Sequence, residues 1–177
     1  MGGQILNKYW IPEDHLMEKI NHYIENDFNG FYVIGLQIRS FMWDRYMMTT
    51  DYVSNFIDCA NEIEKLYKAN NSSDTKEVKW YISADEDTII DRFRARYPDK
   101  IIVGDGVLAH IAYNKNGLPR SIMDMELLSK TNMLVLSGGS TFGFIASLKS
   151  ERFNYVLSGE DKCKKMTMSS PGHRSDL

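Results

Sequence analysis

The chain has 177 residues, 43% hydrophobic and 25% charged, with a formal net charge of −3 and a sequence pI near 5.8. These are globular values for a single domain of ordinary size, able to bury roughly 70% of its unfolded surface. The acidic balance excludes a general nucleic-acid binder, which needs a basic field, and no apolar run approaches the roughly 20 residues of a membrane helix.

In chain order, Pro12 starts an amphipathic helix with Leu16, Ile20, Tyr23 and Ile24 on one face, and Asn29-Gly30 ends it. Phe31 to Ile38 is apolar almost throughout, the pattern of a central strand covered on both faces, and Arg39 follows at its tip. A loop rich in Met and aromatic residues leads to a helix over Tyr52 to Lys68, striped by Val53, Phe56, Ile57, Ala60, Ile63 and Tyr67. The polar connection Asn70 to Lys76 holds two overlapping sequons, relevant only in a secretory compartment. Val78 to Ser83 is a second strand, Glu86 to Tyr97 a helix and Lys100 to Val103 a third strand. Gly104 to Pro119 is expected as a long irregular loop, a type that is often functional. A helix over Ser121 to Lys130 precedes the strand Met133 to Leu136, a Ser137-Gly138-Gly139 turn, and a helix opening at Ser140-Thr141 with Phe144, Ile145 and Leu148 on one face. Phe153 to Leu157 is the last expected strand, and residues 158–177 read as a polar, poorly ordered tail.

Strand and helix alternate about five times without hairpin signals. The expected fold is α/β, a Rossmann-like parallel sheet flanked by helices, over residues 1–157. Ligands of such sheets bind beyond the C-terminal strand ends, where Arg39, Asp85 and Ser137 to Thr141 all fall. The turn into Ser140 points unpaired N–H groups and the positive end of a helix dipole at one spot, which suits a phosphate. The plainer alternative is an ordinary strand-to-helix turn with Ser140 as N-cap. Arg39 presents a fork that matches phosphate oxygens, or else forms a structural ion pair with Asp44 or Asp85.

Asp85-Glu86-Asp87 fits a short metal-binding pattern, but acids before a helix are also favoured as caps. Asp124 could accept a pair of N–H donors from a base such as guanine, or be an exposed helix acid. The four histidines make no zinc pattern, and His110 is the one placed in the long loop. Cys59 and Cys163 alone define neither a disulfide framework nor a metal site. The first ten residues lack the apolar core of a signal peptide, and Leu6 stands where a myristoylation signal needs Ser or Thr.

Three stretches together carry a family resemblance. Val33-Ile34-Gly35-Leu36-Gln37-Ile38-Arg39 resembles the strand-plus-arginine motif of fucosyltransferases, and its Gln-Ile-Arg form is similar to the plant xyloglucan-type α-1,2 enzymes. Met123 to Ser129 resembles the acid-bearing helix of that superfamily, and Ser140 to Ala146 its Ser-Thr-Phe-Gly-Tyr-Val-Ala motif, with Phe144 and Ile145 as departures. The resemblance runs from about Phe31 to Leu157. It implies the C-terminal, donor-binding domain of a two-domain GT-B glycosyltransferase that transfers fucose from GDP-fucose to a glycan acceptor with inversion. By resemblance Arg39 holds the β-phosphate, Asp124 meets the guanine edge, and Ser140, Thr141 and Phe142 meet the pyrophosphate and nucleoside. Gln37 and Asp85 complete the substrate-binding set, and Asp44 is the candidate base. No metal cofactor is expected, and the family implies a Golgi lumen setting. The acceptor-binding domain and membrane anchor of the family have no room in this chain, so a separate acceptor domain or self-association is expected, or a non-catalytic nucleotide-sugar-binding module.

Overall fold

The computed structural model describes residues 2–40, 50–71, 76–108, 115–151, 155–158 and 162–165. Its centre is a six-stranded sheet formed by β1 (Tyr32–Ile38), β2 (Val78–Ala84), β3 (Ile101–Val103), β4 (Met133–Ser137), β5 (Tyr155–Ser158) and β6 (Lys162–Lys165). The spatial order is β3-β2-β1-β4-β5-β6, parallel from β3 to β5. β1 is therefore interior, which explains its unbroken apolar run: Ile34, Leu36 and Ile38 feed one core while Val33 feeds the other.

The described residues include the α-helices α1 (Gly2–Tyr9), α2 (Asp14–Tyr23), α3 (Thr50–Asn70), α4 (Asp87–Arg96), α5 (Leu118–Lys130) and α6 (Thr141–Ser150), of which α1 packs on α6. One face of the sheet buries Phe56, Ile57, Ala60 and Ile63 of α3 and Ile89, Ile90 and Phe93 of α4 against Trp80 and Ile82. The other buries Leu16 and Ile20 of α2, Met123 and Leu127 of α5 and Ala146 of α6 against Tyr81 and Leu134. Each layer covers apolar side chains that alternate along the strands, which is what the period-two pattern of a strand demands.

The expected α/β architecture is present, with four differences. α1 has no counterpart in the sequence reading. Its two opening glycines are poor helix formers, and it is held from outside: Asn7 Nδ2 donates to the Lys149 carbonyl at 3.1 Å, closing the end of α6. α5 begins three residues early, after a 3-10 turn at Lys115–Gly117, with a proline in its first turn. The buried residues of α6 are Gly143, Ala146, Ser147 and Lys149, whereas Phe144 is 42% exposed.

The last difference concerns the expected tail. Residues 162–165 form β6, antiparallel to β5, and Cys163 is disulfide-bonded to Cys59 of α3 across 104 residues. Three lysines in four positions disguised this strand as solvated chain. At a sheet edge they are in place, since charge there discourages pairing with another molecule. The cysteine pair joins elements far apart in sequence, so spacing could not reveal it.

Candidate functional site

The C-terminal ends of β1, β2 and β4 meet, and the chain leaves each in a different direction. The β1–β4 ladder has its last rung at Gln37 and Leu136, and the backbone of Ser137 pairs outward with Leu157 of β5. The Ser137 side chain takes over across the gap: its Oγ accepts the Arg39 N–H at 2.8 Å and lies 3.3 Å from the Gln37 carbonyl. From the other side, Asp85 Oδ1 accepts the Ser40 N–H at 2.7 Å. Two consecutive backbone N–H groups are thus held by side chains from two flanking strands.

This clamp fixes how Arg39 is presented. Its Nε lies 3.7 Å from Asp85 Oδ2, so the structural ion pair weighed from the sequence is formed. The side chain keeps 29% of its surface exposed. Asp85 acts here on backbone and arginine, while Glu86 Oε1 accepts from Ser40 Oγ at 2.9 Å. Among the described residues no three His, Cys, Asp or Glu side chains converge to hold a metal ion.

After β4, Gly139 adopts φ 73°, a left-handed conformation that side chains resist, and turns the chain into α6. Ser140 is the N-cap, its Oγ accepting the Gly143 N–H at 3.3 Å. That bond uses a lone pair and leaves the Ser140 hydroxyl proton free to donate outward. Thr141 is exposed and Phe142 half-buried at the first turn. Gln37 approaches the same turn: a Cβ placed on Gly143 would stand 2.5 Å from Gln37 Oε1. Gly143 is therefore the residue that lets the β1 tip and the start of α6 come together. Gln37 is 3% exposed, and its Oε1 has no hydrogen-bond partner among the described residues. Gln37, Arg39, Asp85, Ser140, Thr141 and Phe142 thus gather at one edge of the sheet, whereas Asp44 and His110 lie outside the described residues.

Asp124 is placed differently from the accessible acid considered from sequence. It is 3% exposed, and its carboxylate accepts from Tyr81 OH and Arg120 Nε at 2.6 Å and from Ser83 Oγ at 2.9 Å. Burial pushes its carboxyl above the ordinary range, against the opposing pull of Arg120, Tyr81 and Ser83. Arg120, itself 5% exposed, also donates from Nη1 to the Gly104 carbonyl at the end of β3. Sequence reading missed Arg120, Tyr81 and Ser83 as members of this network. The i, i+4 spacing of Arg120 and Asp124 on a helix was the one available signal. Beside it, along the free edge of β3, a cleft of about 340 Å³ is lined by His22, Tyr23, Asp27 and Asp105. Burial and the neighbouring Asp105 push the Tyr23 hydroxyl up to about 12.

Residues 2–143 match the family described as alpha-(1,6)-fucosyltransferase N- and catalytic domains. The chain belongs to this fucosyltransferase family. No curated protein sequence matches it at a significant level. Among solved structures it is similar to the NodZ α-1,6-fucosyltransferase co-crystallised with GDP, at 16% identity and a TM-score of 0.57, covering 87% of this chain and 47% of that one. Another NodZ crystal, soaked with GDP-fucose, gives 17% identity and a TM-score of 0.56, covering 87% of this chain and 48% of that one. A mutant of Arabidopsis thaliana FUT1 in complex with GDP gives 19% identity and a TM-score of 0.59, over 82% of this chain and 34% of that one. At such identities the shared property is the fold, that of the GT-B fucosyltransferases. This fucosyltransferase-family chain spans about half the length of NodZ, 47% of it.

Proposed function

We propose that the chain is the donor-binding half of an inverting fucosyltransferase, taking GDP-fucose and passing the fucosyl group to a glycan hydroxyl. The observation that carries this reading is the clamped, part-exposed Arg39 at the tip of β1, the strand whose Gln37 meets the N-terminal turn of α6. Family membership and the GDP and GDP-fucose held by crystals of similar fold support it.

In the transfer, the bond from the fucose anomeric carbon to the β-phosphate oxygen breaks as the acceptor oxygen bonds the opposite face. The acceptor proton passes to a base, for which Asp44 is the sequence candidate. Negative charge grows on the departing GDP. The chain would meet it with the Arg39 fork, the Ser140 and Thr141 hydroxyls and the N–H groups opening α6, while Phe142 packs on the nucleoside. Arginine and helix dipole take the place of a metal, so EDTA should leave binding unchanged. Guanine recognition by Asp124 needs both carboxylate oxygens; Oδ2 accepts only from Ser83, but Oδ1 already accepts from both Tyr81 and Arg120, so one of those two must give way to the base.

In this reading the Gln37-Ile38-Arg39 form points to the plant xyloglucan-type α-1,2 enzymes as near kin, and the acceptor site lies on a second domain or on a second copy. The Cys59–Cys163 bond suits an oxidising compartment such as the Golgi lumen. Among the described residues no helix is long and apolar enough to cross a membrane. A second reading is a non-catalytic nucleotide-sugar-binding module. Calorimetry with GDP, UDP and ADP, followed by donor hydrolysis and transfer assays, tests both. GDP preference with donor hydrolysis supports the enzyme, GDP preference without it supports the module, and equal affinity for the three nucleotides defeats both.

A further inference from the structure

Tyr52 lies in the first turn of α3, 9% exposed, with its ring edge-on to Phe56 at 5.3 Å. Its hydroxyl is 2.7 Å from Ser137 Oγ, an oxygen already engaged with the Arg39 N–H and near the Gln37 carbonyl. A serine hydroxyl has one proton and two lone pairs. One arrangement satisfies every group: Arg39 N–H and Tyr52 O–H both donate to Ser137 Oγ, and Ser137 O–H donates to the Gln37 carbonyl. Burial pushes the Tyr52 hydroxyl above its ordinary range, so it remains a protonated donor at neutral pH.

We propose that Tyr52 is a positioning residue for donor binding, acting through Ser137 on the backbone that presents Gln37 and Arg39. Beyond the last β1–β4 rung, the Ser137 hydroxyl links the two strand ends in place of a ladder hydrogen bond. That hydroxyl rotates freely unless its second lone pair is occupied. Tyr52 occupies it, turning the Ser137 proton toward β1 and fixing both contacts together. A helix on the sheet's opposite face from α6 thereby reaches into the same strand ends that α6 adjoins. The proposal rests on the donor-binding reading, but the clamp itself can be tested without a ligand.

The test uses Tyr52→Phe, which keeps the ring packing and removes only the hydroxyl, with Ser137→Ala as the second variant. In the apo protein, amide hydrogen exchange at Arg39 should be faster in both, while Val33 and Ile34 in mid-strand keep wild-type protection. GDP affinity should fall about three- to tenfold, the effect of one net hydrogen bond. In an Arg39→Lys background the same change should have little further effect, because the tyrosine acts on the arginine. Unchanged Arg39 exchange in Tyr52→Phe would overturn the clamp whether or not GDP binds. Faster exchange with full GDP affinity, or a loss that adds undiminished to Arg39→Lys, would overturn the positioning role. If wild type binds no GDP, the donor-binding reading falls and the role with it, while the exchange result still reports on the clamp.

Discussion

At the scale of single residues, Arg39 and Asp124 are opposite cases. Arg39 is held at its backbone by Ser137 and at its side chain by Asp85, and the side chain stays part-exposed. Arg39→Lys preserves the charge and removes the planar fork, so GDP affinity should fall by about 1.5–3 kcal/mol, the range of a charge-assisted hydrogen bond. Titration calorimetry on wild type and variant reads this directly. Asp124 is enclosed, and its negative charge offsets a buried guanidinium. Asp124→Asn leaves Arg120 without an opposite charge, and loss of one partner of a buried pair costs about 3–5 kcal/mol. Urea unfolding should show that loss even with no nucleotide present. If Asp124 also reads guanine, the variant should bind GDP, UDP and ADP alike.

What the sequence disclosed at this scale follows from reach. Arg39 at a strand tip and Ser140 at a helix start are decided by neighbours a few positions away, and both were legible. The partners of Asp124 on β2 lie 41 and 43 residues upstream, and Tyr52 and Ser137 are 85 apart. No local pattern encodes such contacts. Only the order of strands in space creates them, and with them the burial that separates an enclosed carboxylate from an exposed one.

At the scale of elements, α3 is fastened at several points. Near its C-terminal half, Glu64 accepts from Lys68 at 2.7 Å and from Lys100 at the start of β3. Burial alone would raise the Glu64 carboxyl, but the two lysines overcome it and hold it below the ordinary range. A carboxyl lowered by folding contributes stability that is complete above its unfolded pKa, roughly 4.3, and is lost as pH falls through the folded value. Glu64→Gln should therefore be less stable than wild type near neutrality, and the gap should close on acidification. Chemical unfolding at a series of pH values checks the sign.

The disulfide fastens the same helix to β6. Closing a loop of this length is worth about 2–5 kcal/mol in typical proteins. Dithiothreitol or Cys163→Ser should lower the urea midpoint by a corresponding amount, and β6 should lose amide protection before β1. An unaltered midpoint would mean that the bond contributes nothing to the sheet. The long helices and interior strands were readable because their periodicity runs over many residues. α1 and β6 were not, since each is short, weak in propensity and held by contacts to distant residues.

At the scale of the whole molecule, Gln37, Arg39, Asp85, Ser140, Thr141 and Phe142 share one edge of the sheet, where doubly wound sheets place their ligand sites, while Asp124 is enclosed. A two-domain transferase closes a cleft over donor and acceptor, and that closure supplies positioning worth several kcal/mol. On the donor-binding reading proposed above, the chain would form one wall of such a cleft. It should bind GDP weakly and transfer no detectable fucose alone, and adding an acceptor-binding partner should tighten binding. Robust transfer by the purified monomer would place the acceptor site within these residues. The fold class needed only the alternation of elements.

The central claim is that the β1 tip and the N-terminal turn of α6 together seat the donor's diphosphate. A two-dimensional NMR titration of the isotopically labelled chain with GDP tests it most directly. The account predicts that the backbone amides of Arg39, Ser40, Thr141, Phe142 and Gly143 shift first and furthest. Guanosine, which lacks the phosphates, should leave the amides of Arg39, Ser40, Thr141 and Gly143 in place and move only that of Phe142, which meets the nucleoside. Shifts confined to the cleft of His22, Tyr23 and Asp105, with Arg39 and α6 unmoved by GDP, would contradict it.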